Sequence, residues 1–173
     1  MSTYKIITDS ACDLPQAMLQ ELDISIASLT VNFRGETRND SVADADVKEL
    51  YDAMRSGEVA TTAAVNPDGW ATKIEEALAA GQDALVMTFS GGLSTTYHSA
   101  VIAAGDLQET YPQRKVMVVD TCAAALGQGL FVWYAAKQRD KGLSLEELAA
   151  WCEENKDLNS KFCFQKQVSC SRT

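Results

Sequence analysis

The chain has a single histidine among its 173 residues, three prolines, and five cysteines that form no Cys-x-x-Cys pair. With one histidine and no paired cysteines, local sequence assembles no zinc site of the usual ligand spacing. The thiols of Cys12, Cys122, Cys152, Cys163 and Cys170 are scattered and odd in number, which fits reduced cysteines in a cytosolic protein better than a disulfide framework. Basic side chains are scarce: 15 against 24 acidic ones, for a formal charge of −9. That balance excludes a nucleic-acid or anionic-membrane surface, because phosphate recognition draws on an excess of Lys and Arg. No run of about 18 apolar residues exists, so no segment spans a bilayer. The start, MSTYKIITDS, lacks the basic segment and apolar core of a secretory signal. Neither GxxxxGK[ST] nor GxGxxG occurs, so the usual nucleotide-binding loops are missing. A cytoplasmic protein without a cofactor or metal is expected.

What remains is a chain with 46% apolar residues, long enough for one substantial core. Four apolar runs have strand character: residues 4–8 (YKIIT), 24–33 (ISIASLTVNF), 83–89 (DALVMTF) and 115–119 (KVMVV). Helical patterns separate or follow them, over about 15–22, 46–56, 67–80, 94–110, 123–141 and 144–156. Asp13 is a candidate cap for the first of these helices. Asn66 followed by Pro67 predicts a capped start for the third, and Ser144 with Glu147 has capping-box spacing. Between them, residues 60–66 read as a loop of small and hydroxyl residues. This alternation predicts an α/β fold, a mostly parallel sheet of about four strands with helices on both faces. The polar stretch 157–173 has no clear period and reads as an atypical tail.

In open α/β sheets the ligand crevice lies beyond the carboxyl ends of the strands. Those ends carry hydroxyls and glycines here: Thr8-Asp9-Ser10, Ser90-Gly91-Gly92-Leu93-Ser94-Thr95-Thr96, and Asp120-Thr121, with Thr61 and Thr62 nearby in sequence. None of these loops contains Lys or Arg, so neutral donors at helix N-termini suit a monoanion such as a carboxylate better than a nucleotide. Gly91 and Gly92 either admit a ligand atom close to the backbone or simply close a tight turn. A second chemistry is also open. Asp9 and Asp120, read as neighbouring strand ends, and His98 offer acid–base or metal-binding groups for a metal-dependent phosphotransfer or hydrolytic enzyme. A helix N-terminus after Cys12 or Cys122 would lower a thiol pKa. The helix at 123–141 is apolar nearly all round in its first half, which predicts burial or a pocket wall.

Taken together, TDSACDLP (8–15), TTAAVNP (61–67), FSGGLSTTYHSA (89–100) and VVDTCAAALGQG (118–129) resemble the DegV family of bacterial fatty-acid-binding proteins, in order and spacing, over about residues 4–156. The resemblance implies an N-terminal DegV-like α/β domain over 1–156, with the family's second domain absent and 157–173 unlike it. It implies a long-chain fatty acid as ligand. It also implies a role like the acyl-carrying subunit of a bacterial fatty acid kinase, which presents the carboxylate to a separate kinase subunit and is not itself an enzyme. Carried over by position, the carboxylate ligands are Thr61, with Thr62 beside it, and Ser94, with donors near Thr95. The chain departs from the family pattern at Ala63-Ala64, where Gln-Pro is usual, at Gly91 in place of a serine, and at Thr95 in place of a glycine. With half of the acyl tunnel missing, an inactive isolated domain is a third reading.

Overall fold

The computed structural model describes residues 4–170, the side chains of Asp44 and of 158–170 excepted. Strands β1 (Tyr4–Asp9), β2 (Ile24–Ala27), β6 (Asp83–Thr88) and β7 (Val116–Asp120) form a parallel sheet in the order β2-β1-β6-β7. The period of two along each strand divides their apolar side chains between two helix layers. Ile6, Leu85, Met87 and Val119 pack against α5 (Ala125–Asp140) and α6 (Leu145–Cys170), through Phe131, Val132, Leu148 and Cys152. Ile7, Ala84 and Val86 pack the other way, against α3 (Pro67–Ala79) and α4 (Thr96–Thr110), with Trp70 and Ile74 at the centre. The chain is thus an α/β fold with helices on both faces.

Two of the caps read from sequence are present. The Asn66 side chain accepts the Gly69 N–H at 2.8 Å, with Pro67 in the first turn of α3. Ser144 and Glu147 exchange the reciprocal bonds of a capping box at the start of α6. Asp13 is not a cap. It takes a left-handed conformation (φ 55) after a short 3₁₀ turn at Ser10–Cys12, and α1 (Gln16–Glu21) starts on the Pro15 carbonyl instead.

The expected single strand over 24–33 is two strands in different sheets. The chain leaves the parallel sheet after Ala27, the Leu29 N–H donates to Ser10 Oγ at 3.0 Å, and β3 (Thr30–Phe33) begins a separate antiparallel sheet. Its neighbours are β4 (Glu36–Asn39) and β5 (Ala60–Ala63), the second inside the stretch read as loop. The order is β4-β3-β5, with α2 (Asp44–Arg55) lying on one face through Leu50 and Ala53 against Val31, Phe33 and Ala60. Helix α6 carries the chain to Cys170, so part of the stretch read as an irregular tail is helical in its backbone; Ser171, Arg172 and Thr173 lie outside the described residues.

Candidate functional site

The small sheet does more than extend the fold. It forms a wall of an open cleft of about 540 Å³, within the range of small-molecule sites. The residues of one sheet face are in register: Val31 opposes Arg38 on β4 and Thr62 on β5, and Phe33 opposes Glu36 and Ala60. Leu29, Val31, Arg38, Asp40, Ala60 and Thr62 all border the cleft. Facing them are Val47, Leu50, Tyr51 and Met54 of α2, Leu14 and Pro15 after the 3₁₀ turn, and Phe89 at the end of β6. The cleft therefore opens where the carboxyl ends of β1 and β6 meet the second sheet. Its apolar lining is only partly covered: Tyr51 is 53% and Met54 45% exposed.

The four residues expected to bind a carboxylate are placed on two elements. Thr61 and Thr62 are consecutive on β5, so their side chains point to opposite faces of the sheet. Thr62 lines the cleft, and Thr61 lies opposite Asn32 on the other face. Ser94 and Thr95 precede α4. The Ser94 hydroxyl shares a hydrogen bond with Thr96 Oγ1 at 2.8 Å and accepts the Thr96 N–H at 3.2 Å. Thr95 is the exposed residue at the helix N-cap position and makes no side-chain cap bond. Neither residue borders the cleft as it stands. Trp70, fully buried in the first turn of α3, ties α3 to the start of α4, its indole N–H donating to the Thr96 carbonyl at 3.1 Å.

The residues of the alternative chemistry are not assembled together. Strand β6 lies between β1 and β7, so Asp9 and Asp120 do not end neighbouring strands, contrary to the sequence reading. Asp9 is fully buried and accepts the Phe89 N–H at 2.7 Å; burial pushes its pKa up to about 6. Asp120 accepts the N–H groups of Gly91, at 3.1 Å, and of Cys122, at 2.9 Å. His98 is exposed and meets Tyr97 edge to face. Among the described residues no group of three or more His, Cys, Asp or Glu is placed to hold a metal.

Gly91 serves the turn. A Cβ there would lie 2.8 Å from Asp120 Oδ2 and 3.1 Å from the Tyr97 ring, so glycine is what lets the loop close onto the Asp120 carboxylate. Gly129 has the same role in α5, where a Cβ would meet the Cys12 carbonyl at 2.2 Å. The cysteine reading is also corrected. Burial raises the Cys12 and Cys152 thiols to about 12 and raises Cys122 as well, so no described thiol is activated; the Cys163 and Cys170 side chains lie outside the described set. Helix α5 is buried along Phe131, Val132, Ala135 and Ala136, but Leu126, Leu130 and Tyr134 form an exposed stripe, and its contribution to the cleft is Ala125.

The residue that sequence reasoning missed is Arg38. It stands in a polar stretch with no motif, and only the pairing of β4 with β3 brings it to the cleft.

A family model described as "Uncharacterised protein, DegV family" matches residues 3–165. The chain belongs to the DegV family. It is 39% identical over 158 residues to a DegV domain-containing protein of Clostridium perfringens, covering 91% of this chain and 54% of the relative. A DegV domain-containing protein of Lactococcus lactis is 35% identical, over 84% of this chain and 50% of its own length. The chain thus spans about half the length of these curated relatives. Among solved structures, a DegV family protein from Thermus thermophilus, described by its fatty acid binding, superposes with a TM-score of 0.76 at 34% identity, over 90% of this chain and 54% of that one. A stearic acid-binding protein from Eubacterium ventriosum gives 0.75 at 27% identity, over 87% and 52%. No helix among the described residues is long and apolar enough to cross a membrane.

Proposed function

We propose that this DegV domain binds a long-chain fatty acid and acts as the acyl-carrying component beside a separate fatty acid kinase subunit, a binding and not a catalytic role in the cytoplasm. The acyl chain lies along the cleft between α2 and the β3–β5 sheet, and the carboxylate is received by hydroxyls of the expected set, Thr61, Thr62, Ser94 and Thr95, of which Thr62 borders the cleft. The observation that supports this reading is the cleft itself: about 540 Å³, walled by Val31, Val47, Leu50, Tyr51, Met54 and Phe89, with a hydroxyl on its sheet face. Relatives of the same fold are described as fatty-acid-binding proteins. Each buried methylene contributes about 0.8 kcal/mol, so about ten of them account for micromolar affinity before ordering costs. The head group then fixes orientation more than affinity. On this reading the segment 1–156 is the acyl-binding domain.

The test is native mass spectrometry of the purified chain, followed by organic extraction of whatever it releases. The expected result is one fatty acid per chain, at reduced occupancy in a variant combining Thr61→Ala, Thr62→Ala and Ser94→Ala. Retention of the acid at wild-type occupancy by that variant would refute the assignment of the hydroxyls.

A further inference from the structure

Two arginines belong to the β3–β4 hairpin, Arg34 in its turn and Arg38 on β4, and they are used differently. Arg34 pairs with Glu58 at 2.6 Å and with Glu49 at 3.4 Å. Arg38 makes no ion pair among the described residues; its guanidinium lies 6.0 Å from the centre of the Phe33 ring. Yet Arg38 is the one that borders the cleft. It stands directly opposite Val31, which stands directly opposite Thr62. Directly opposed residues share a sheet face with Cβ atoms about 5 Å apart, so the Cβ atoms of Arg38 and Thr62 stand about 10 Å apart with one apolar residue between them. A carboxylate seated beside Thr62 shares this sheet face with the Arg38 cation, with Val31 buried beneath α2 between them. The remaining charges on the cleft wall are Asp13, Asp40 and Asp46. Asp40 raises the pKa of Asp13, after burial, so their fields overlap. They disfavour an anion in their own neighbourhood, and Asp40, just past the end of β4, opposes Arg38 from two residues along the chain.

We propose that Arg38 is the residue that selects an anionic head group in this cleft, adding a cation to the neutral hydroxyl of Thr62. The inference rests on the lipid-binding reading above. It assigns the affinity to the chain and the discrimination between a fatty acid and its uncharged analogue to Arg38. Because the guanidinium is exposed, its contribution is of the size of an exposed ion pair, up to about five-fold in affinity. It is also screened by salt.

The experiment is calorimetric titration of the delipidated full chain with myristic acid and with 1-tetradecanol, at low and high salt, for the wild type, Arg38→Gln, Arg38→Lys and Asp40→Asn. Arg38→Gln is expected to weaken the acid about five-fold at low salt and leave the alcohol within two-fold, roughly one exposed ion pair's worth. Arg38→Lys should retain most of the preference, Asp40→Asn should tighten the acid, and high salt should erase the differences. Equal weakening of acid and alcohol by Arg38→Gln would make Arg38 a piece of apolar wall and overturn the proposal. No change in either ligand would also overturn it, with lipid binding left standing. If the wild type binds neither ligand, the lipid-binding reading falls and the proposal with it.

Discussion

The two sheets of this domain are built on different terms. In the parallel sheet, β6 is buried from Ala84 to Thr88 and covered by helices on both sides. In the antiparallel sheet, β4 is exposed at every residue, and the core beneath it is three buried side chains, Val31, Phe33 and Ala53. The first sheet fixes where strand ends and helix starts sit. The second supplies the cleft wall from short strands that owe their positions to one another and to α2. Low local contact density is also where opening is least costly.

The largest expected effect separates the two regions directly. Trp70→Ala removes a fully buried indole and its bond to Thr96, and is expected to cost about 3–5 kcal/mol in denaturant unfolding. Phe33→Ala should cost less stability but more ligand affinity, because its cluster is small and borders the cleft. Equal losses of stability in the two variants would show that the sheets unfold as one unit.

The next effect concerns the frame alone. Asp9 has its folded pKa raised by burial to about 6, against an ordinary value of 3.8. Its protonated form is the one the fold favours. Stability from this group is therefore fully present below about pH 4 and lost as pH rises through about 6, for a total of about 3 kcal/mol. Asp9→Asn keeps an acceptor for the Phe89 N–H and removes the titration. It should unfold at higher denaturant than the wild type at pH 8 and flatten the fall between pH 4 and 6. An unchanged pH profile in that variant would refute the account of Asp9.

The smallest effect is at a helix start that the sequence announces. Asn66→Ala removes the acceptor of the Gly69 N–H and is expected to cost about 1 kcal/mol in thermal or denaturant unfolding.

Such features were legible because they are local. The Asn66-Pro67 cap, the Ser144–Glu147 box and the apolar runs of β1, β6 and β7 each need only a few adjacent residues to make sense. The antiparallel sheet was hidden because nothing in ETRN or ATTA marks a strand without its neighbour, and TVNF reads as the end of a single strand that starts at Ile24. Each is four residues long, two carry mostly small or polar side chains, and the pairing of β3 with β5 spans the whole of α2. The same non-local pairing hid Arg38 and divided the Thr61-Thr62 pair between two faces. The glycine loop was read as ambiguous from sequence, and the structure resolves Gly91 by placing the Asp120 carboxylate where its side chain would be.

The central claim is that the cleft between α2 and the small sheet holds the acyl chain. It is tested most directly by loading the chain with a fatty acid carrying a photoreactive diazirine in its alkyl part, irradiating, and mapping the labelled peptides. The account predicts labelling in the α2 segment containing Tyr51 and Met54, reduced by competing unlabelled fatty acid. Competable labelling confined instead to the exposed α5 stripe at Leu126, Leu130 and Tyr134 would contradict it.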